Sequence, residues 1–287
     1  MNTINVSIIM PTFNSSRWVT DSIQSVLEQS YKKWELIIID DGSTDNTLDV
    51  INHFLLDKRI TLTIQANLGP AEARNHGISK AVGKYLAFLD SDDLWNPNKL
   101  ELQLRYLASK EECDMVHTNY NYFYENLSNS KPFKQTEWFS HWPEKERLLI
   151  CDNIGTLTVL VKKNIVENLG GFNKEFIGTE DWDLWIRISK TSIIHKMNDD
   201  TARYRIHTTG ISQSHMKHFI ELEKVYNQNV FIFDVPKKIQ CAAKTVLSLR
   251  KSKYYFLEKK YFLFFKNCFV GINEWCKAYL YHLYISI

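Results

Sequence analysis

Three aspartates fall within four positions of FLDSDDLW, residues 88 to 95, directly behind an apolar run. Two like charges about 4 Å apart at an effective dielectric near 20 repel by roughly 4 kcal/mol. Capping the next helix uses one such side chain, so Asp90, Asp92 and Asp93 together ask for a cation. Carboxylates with open coordination positions suit Mg2+ or Mn2+, which keep waters and share phosphate oxygens. A second acidic pair, Asp40-Asp41, opens the stretch DDGS. Asp-Gly is a common turn pair, but a carboxylate at a strand end also accepts from the N–H groups of a nucleobase or the hydroxyls of a ribose. Asp41 is favoured for ligand contact, with Asp40 beside it. Arg74 has a guanidinium suited to diphosphate oxygens. It is equally suited to offsetting the acid cluster or pairing with a structural acid.

These residues need elements to hold them. Apolar runs with β-branched residues predict buried strands over 6–10, 36–39 and 85–89, and alternation predicts one over 60–64. Helices are expected over 22–27, along Leu48, Ile51 and Leu55, over 71–81 after Pro70, and from Asn96-Pro97 with proline at the first helical position. Strand and helix in this rhythm give an α/β domain with a mostly parallel sheet flanked by helices. Ligands of such sheets bind beyond the carboxyl ends of the strands. Pro11-Thr12-Phe13-Asn14, Asp40 to Ser43, Asn67 to Pro70 and Asp90 to Asp93 all gather at that edge. Further along, strands are expected over 115–123, 156–161 and 202–206, a short helix over 180–188, and a loop over the site at 124–143.

VSIIMPTFN, IIIDDGSTDNT, NLGPAEARNHG, YLAFLDSDDLWNP and GTEDWDLWIR appear in this order over about residues 5 to 210. Together they resemble the motifs of the family-two inverting glycosyltransferases with the GT-A, Rossmann-like fold. The resemblance implies a metal-dependent transfer of one sugar from a nucleotide-sugar, most often a UDP-sugar, to a glycan hydroxyl. It matches Pro11, Thr12 and Asp41 to the positions that hold base and ribose, Asp90 to the acid near the ribose, and Arg74 to a basic residue near the nucleotide. Asp92 matches the metal ligand, with Asp93 assisting, and the cofactor is Mn2+ or Mg2+. His207, in YRIHTTGIS, matches a polar residue near the metal or diphosphate. Asp181 matches the catalytic base, with Glu180 before it; helix capping is the other use of acids in a first turn. Of Trp182 and Trp185, one is expected in the core and one stacked on an acceptor sugar. No Q-x-x-R-W follows Asp181, which implies a single addition per encounter instead of processive synthesis.

Composition is that of a globular protein, 44% hydrophobic and 24% charged over 287 residues. No signal peptide and no transmembrane run is expected. Five widely spaced cysteines without a C-x-x-C pair read as free thiols of a reducing cytosol. The net charge of +2 hides an asymmetry. Residues 1–216, the expected GT-A domain, carry 23 Lys/Arg against 28 Asp/Glu, and residues 217–287 carry 12 against 5 with 16 of the 38 aromatics. That helical, basic, aromatic tail is expected to pack on the body, join a homo-oligomer, or touch the inner face of the cell membrane peripherally. Nucleic acid is excluded as a partner by the acidic body. A lipid-linked glycan acceptor in surface polysaccharide assembly, O-antigen or capsule, fits the tail and the family's common use.

Other classes fit less well. A sugar nucleotidyltransferase wants a glycine-rich phosphate loop after the first strand, where this chain has PTFNSSRW. An aspartyl phosphohydrolase wants its D-x-D after the first strand, not the fourth. An inactive glycosyltransferase-like scaffold would have lost acids that are all present here.

Overall fold

The computed structural model describes residues 4–124, 130–132, 142–207, 215–230, 234–257 and 259–285. The chain divides into two compact units. One comprises Met1–Gln135, Ile154–Glu175 and Arg187–Thr208; the other comprises Thr136–Asn153, Phe176–Ile186 and Thr209–Ile287.

In the first unit, β1 (Val6–Thr12), β2 (Trp34–Asp40), β3 (Ile60–Ile64) and β4 (Tyr85–Phe88) run parallel. Every residue of β1 is buried, as a strand covered on both faces requires. Crossover helices α1 (Val19–Leu27), α2 (Thr47–Asn52) and α3 (Pro70–Lys80) link them. Gly77 lets α3 lie close on β1: a Cβ there would stand 2.6 Å from Cγ2 of Ile9. β5 (Leu94–Trp95), α4 (Lys99–Ser109), β6 (Met115–Phe123) and β7 (Ser130–Pro132) follow. After α5 (Glu144–Ile150), which belongs to the other unit, come β8 (Leu160–Lys162), α6 (Lys163–Asn168) and β9 (Ile194–Arg205). The strand order is β3-β2-β1-β4-β8-β6-β9-β5, with β7 on β6. Around β8 and β5 the neighbours are antiparallel, so the sheet is mixed, with its parallel half as expected. The chain places β2 and β3 on one flank of β1 and then returns to place β4 on the other. This reversal creates the switch point where such sheets bind ligands.

Several boundaries differ from the sequence reading: α1 starts at Val19, the helix expected over 180–188 runs on to Thr191, and α2 stops at Asn52, short of Leu55. The helix expected at Asn96-Pro97 begins at Lys99, because Leu94 and Trp95 pair with β9 and Asn96 Nδ2 donates to the Asp200 carbonyl at 2.7 Å. The strand expected over 156–161 starts as a single 3₁₀ turn, Thr156–Thr158. There the Thr158 hydroxyl returns to the Gly155 carbonyl at 2.6 Å, a local bond that competes with strand pairing. The last strand begins at Ile194, not 202. Its first half is polar, partly exposed and irregular in register against β6, so no alternation marks it. The expected loop over 124–143 falls mostly on 125–129 and 133–141, outside the described residues.

The second unit contains α5, the opening residues of α7 (Glu180–Thr191), α8 (His215–Asn229), α9 (Lys237–Leu257) and α10 (Tyr261–Ile285). Trp182 lies at its centre. Its ring meets Tyr226 edge-on at 5.0 Å, and its Nε1 donates to the Leu148 carbonyl at 2.7 Å. All five cysteines are free thiols. No helix among the described residues is long and apolar enough to cross a membrane.

Lys99, in α4, is fully buried, with Nζ bonded to Gln103 Oε1 at 2.6 Å and set over the Trp95 ring. Burial pushes its ammonium well below the usual 10.5. The unfolded chain therefore holds the proton more readily, and stability rises with pH from the lowered folded value to the ordinary lysine value. Lys99→Met removes this dependence. In urea unfolding the wild type should gain on the variant by up to about 1.4 kcal/mol per pH unit inside that window. A gap that stays constant with pH contradicts the assignment.

Candidate active site

The strand ends that face the switch point each contribute one group. β1 closes with Pro11 and Thr12. Proline is tolerated in this central strand because pairing with β4 stops at Ile9↔Phe88, leaving no partner on that side for a missing N–H. Thr12 is buried, and its hydroxyl finds no hydrogen-bond partner among the described residues. Such an orphan needs an explanation, and a ligand at this edge is one.

β2 closes with Asp40 and Asp41, which do different work. Asp40 is fully buried and ties the turn, accepting from the Ser43 backbone N–H at 2.9 Å and the Ser43 hydroxyl at 2.5 Å. Gly42 follows at φ 78, a left-handed position that favours glycine. Asp41 receives Nε2 of Gln65 at 2.8 Å and the backbone N–H groups of Leu68 and Gly69 at 2.9 and 2.8 Å. Its carboxylate thus shapes the loop between β3 and α3. This supporting role was not visible in the sequence, since Gln65 lies 24 residues away.

After β4 the acids separate by partner. Asp90 Oδ1 receives Nη2 of Arg74 at 2.7 Å, and the Arg74 side chain is almost completely buried. Asp92 Oδ2 stands 2.8 Å from Nε2 of His207, while the Asp92 side chain remains 30% exposed. Asp93 points inward and accepts the backbone N–H of Arg205 at 2.8 Å. Burial, with Asp92 and Asp90 beside it, holds the Asp93 carboxyl well above the usual carboxylate range.

Arg205 is the residue that sequence reading missed. Its Nε donates to the Asp92 carbonyl at 2.7 Å and its Nη2 to Asp21 at 3.0 Å. The guanidinium lies 4.4 Å from the Trp18 ring centroid and 4.5 Å from that of Phe123. Trp18 also flanks His207, with ring centroids 5.6 Å apart. The end of β9 therefore grips the acidic turn through Arg205 and presents His207 to it. The one signal in the sequence was the position of Arg205 two residues before His207.

The donor set fits a divalent cation that keeps part of its shell for a diphosphate. Asp92 and His207 offer an oxygen and a nitrogen, a partial shell of the kind that leaves room for water and phosphate. Among the described residues no group of three or more His, Cys, Asp or Glu side chains is placed to hold a metal ion by itself.

Glu180, Asp181 and Trp182 belong to the second unit. Glu180 is buried and accepts the Gly178 N–H at 2.6 Å, which assigns it to the turn before α7. Asp181 is half-buried in the first turn, and its Oδ1 accepts the Trp182 N–H at 2.8 Å. Trp182 and Trp185 are both fully buried. The expectation of one ring exposed for stacking on a sugar is thus corrected. Both sit on the apolar side of α7, three residues apart, where a helix repeats its face.

The sequence profile of Glycosyl transferase family 2 matches residues 7–166. A Bacillus subtilis (strain 168) protein with the provisional name teichuronic acid biosynthesis glycosyltransferase TuaG is 35% identical over 74% of this chain and 83% of its own length. The Escherichia coli UDP-Glc:alpha-D-GlcNAc-diphosphoundecaprenol beta-1,3-glucosyltransferase WfgD is 35% identical over 74% of this chain and 81% of its own. Among solved structures, the mannosyltransferase PcManGT of Pyrobaculum calidifontis, in complex with GDP-Man and Mn2+, superposes with a TM-score of 0.69. It shares 18% identity over 97% of this chain and 76% of its own, a likeness of fold.

The division of labour between the acids is measurable in urea unfolding. Asp41→Ala strips three N–H donors of their acceptor and should cost about 2 kcal/mol. Asp92→Asn changes a partly exposed side chain and should stay within about 0.5 kcal/mol of wild type. Equal costs would contradict the assignment.

Proposed function

This chain belongs to glycosyl transferase family 2, a family of inverting glycosyltransferases, and on that premise we propose that it moves one sugar from a UDP-sugar to a hydroxyl of a lipid-linked glycan during polysaccharide assembly. The observation that carries the donor reading is the pairing at the strand ends: Arg74 with Asp90, and His207 with Asp92, beside the switch point of the sheet. UDP as the nucleotide and a diphospho-lipid acceptor are supported by the substrates in the name of WfgD.

In this proposal Thr12 and Asp41 border the base and ribose, and Asp90 with Arg74 lies beside the ribose and diphosphate. Asp92 and His207 are the residues that would hold Mn2+ or Mg2+, which supplies charge neutralisation for the diphosphate leaving group when bound. Arg205 keeps the acidic turn in place before any ligand arrives, so little reorganisation is left for the reaction. Asp181 takes the proton of the acceptor hydroxyl as that oxygen attacks the anomeric carbon. The new bond forms on the face opposite the departing diphosphate, and one displacement inverts the anomeric centre. A carboxylate suits this task, and the Trp182 N–H donated to Oδ1 at 2.8 Å orients that of Asp181. The absence of Q-x-x-R-W after Asp181 supports one addition per encounter.

The test is UDP release from UDP-sugars in the presence of a polyprenyl diphosphate-linked saccharide, with the anomeric configuration of the product read by NMR. Asp181→Asn should lower the rate by about 10²- to 10⁴-fold, as loss of a general base does, with UDP affinity unchanged. Thr12→Val, isosteric and free of the orphan hydroxyl, should fold as well as wild type and bind UDP more weakly. Nucleotide release from none of the UDP-, GDP- or dTDP-sugars would overturn the transferase assignment. Full activity in Asp181→Asn would overturn the choice of base.

A further inference from the structure

In the second unit α10 packs one side on α9, where Gly271 brings the two helices together: a Cβ there would meet Leu249 and Ser248 at 3.5 Å. Its other side carries Phe262, Phe265, Phe269, Ile272 and Trp275, which are 80%, 66%, 74%, 60% and 48% exposed. Scattered apolar side chains on a surface need no explanation, but a continuous aromatic stripe along a helix does. At 3.6 residues per turn these five positions span roughly 140° of the helix circumference. A coiled-coil seam formed by a second copy is narrower, because it uses only the a and d positions.

The charges around the stripe are mostly basic, with Glu258 beside Lys259 in the sequence and Glu274 in the helix. Lys266 lies along one flank, and Lys259 and Lys260 sit at the turn where the helix starts, all exposed. The one acid among the described residues of α10, Glu274, is neutralised by Lys277 at 2.6 Å. Aromatic rings bordered by lysines match a phospholipid headgroup layer: the rings enter the acyl boundary and the lysines reach anionic headgroups. The helix is not apolar enough to cross, so it lies in the plane of the surface.

We propose that this face of α10 docks the protein on an anionic phospholipid bilayer. The proposal is independent of the transferase reading, since vesicle binding requires neither donor nor acceptor. It would bring the enzyme to the layer in which a lipid-linked acceptor resides.

The full chain is sedimented with sucrose-loaded vesicles of phosphatidylglycerol and phosphatidylcholine, and with vesicles of phosphatidylcholine alone. Wild type should partition at least about tenfold better into the anionic vesicles and should release at high salt. Phe265→Ser with Phe269→Ser should lower binding by at least about tenfold, with the thermal melt and UDP affinity as wild type. Lys260→Gln with Lys266→Gln, which leaves the rings in place, should weaken binding to anionic vesicles selectively. Failure of wild type to bind anionic vesicles overturns the proposal, as does unchanged binding by the phenylalanine variant. A wild-type dimer that the phenylalanine substitutions split, with vesicle binding unchanged, assigns the face to a second copy and overturns it equally.

Discussion

Three carboxylates crowded into one turn stay together because the fold brings hydrogen-bonding groups to them from distant parts of the chain. Arg74 comes from α3 to Asp90, His207 from beyond β9 to Asp92, and Arg205 from the end of β9 to the backbone of Asp92 and the side chain of Asp93. Each contact has its own geometry. The buried guanidinium of Arg74 fixes Asp90, the imidazole of His207 leaves Asp92 partly open, and Asp93 is turned inward to bond a backbone N–H. One acid, Asp93, is thereby structural, and the other two are each paired yet partly open, Asp90 at 33% and Asp92 at 30% exposure. This separation lets three carboxylates share one turn despite their mutual repulsion.

The sheet makes the arrangement possible. β1 is enclosed by β2 and β4, and pairing with β4 ends early enough that Pro11 and Thr12 extend past it. β9 reaches the turn after β4 only because it runs 12 residues and hydrogen-bonds both β6 and β5. The pairing of Leu94 and Trp95 with Arg203 and Ala202 pins the downstream end of the acidic turn to the same strand that delivers Arg205. Buried Trp95 donates its Nε1 to the Leu157 carbonyl at 2.8 Å, which ties that strand to the 3₁₀ turn.

Much of this was legible in the residues. The continuous apolar runs of β1, β2 and β4 predicted a parallel, doubly covered core, and the acids at their ends marked the functional edge. Ordered motifs then carried the family. What stayed hidden depends on contacts across long stretches of chain. Arg205 meets residues 112 and 184 positions away, and a single arginine in a partly polar strand carries no periodic signal. Polar β9 could not be bounded from its pattern, because its first half lies exposed beside a bulged partner. Burial of Trp182 follows from helices α5 and α8, whose contacts with α7 no local rule supplies. Asp41 was recognised as important, and its role in holding the loop at Leu68 and Gly69 emerged only from the geometry.

Under the proposed function the acidic turn is a site for a cation together with a nucleoside diphosphate. The most direct measurement is calorimetric titration of UDP into the wild type and into Asp92→Asn, each with and without Mn2+. Mn2+ should strengthen UDP binding to the wild type at least about tenfold, as neutralising the diphosphate charge would, and Asp92→Asn should lose this gain while keeping its fold. UDP affinity that ignores Mn2+ in the wild type, or a gain that survives in Asp92→Asn, would contradict this reading of the turn.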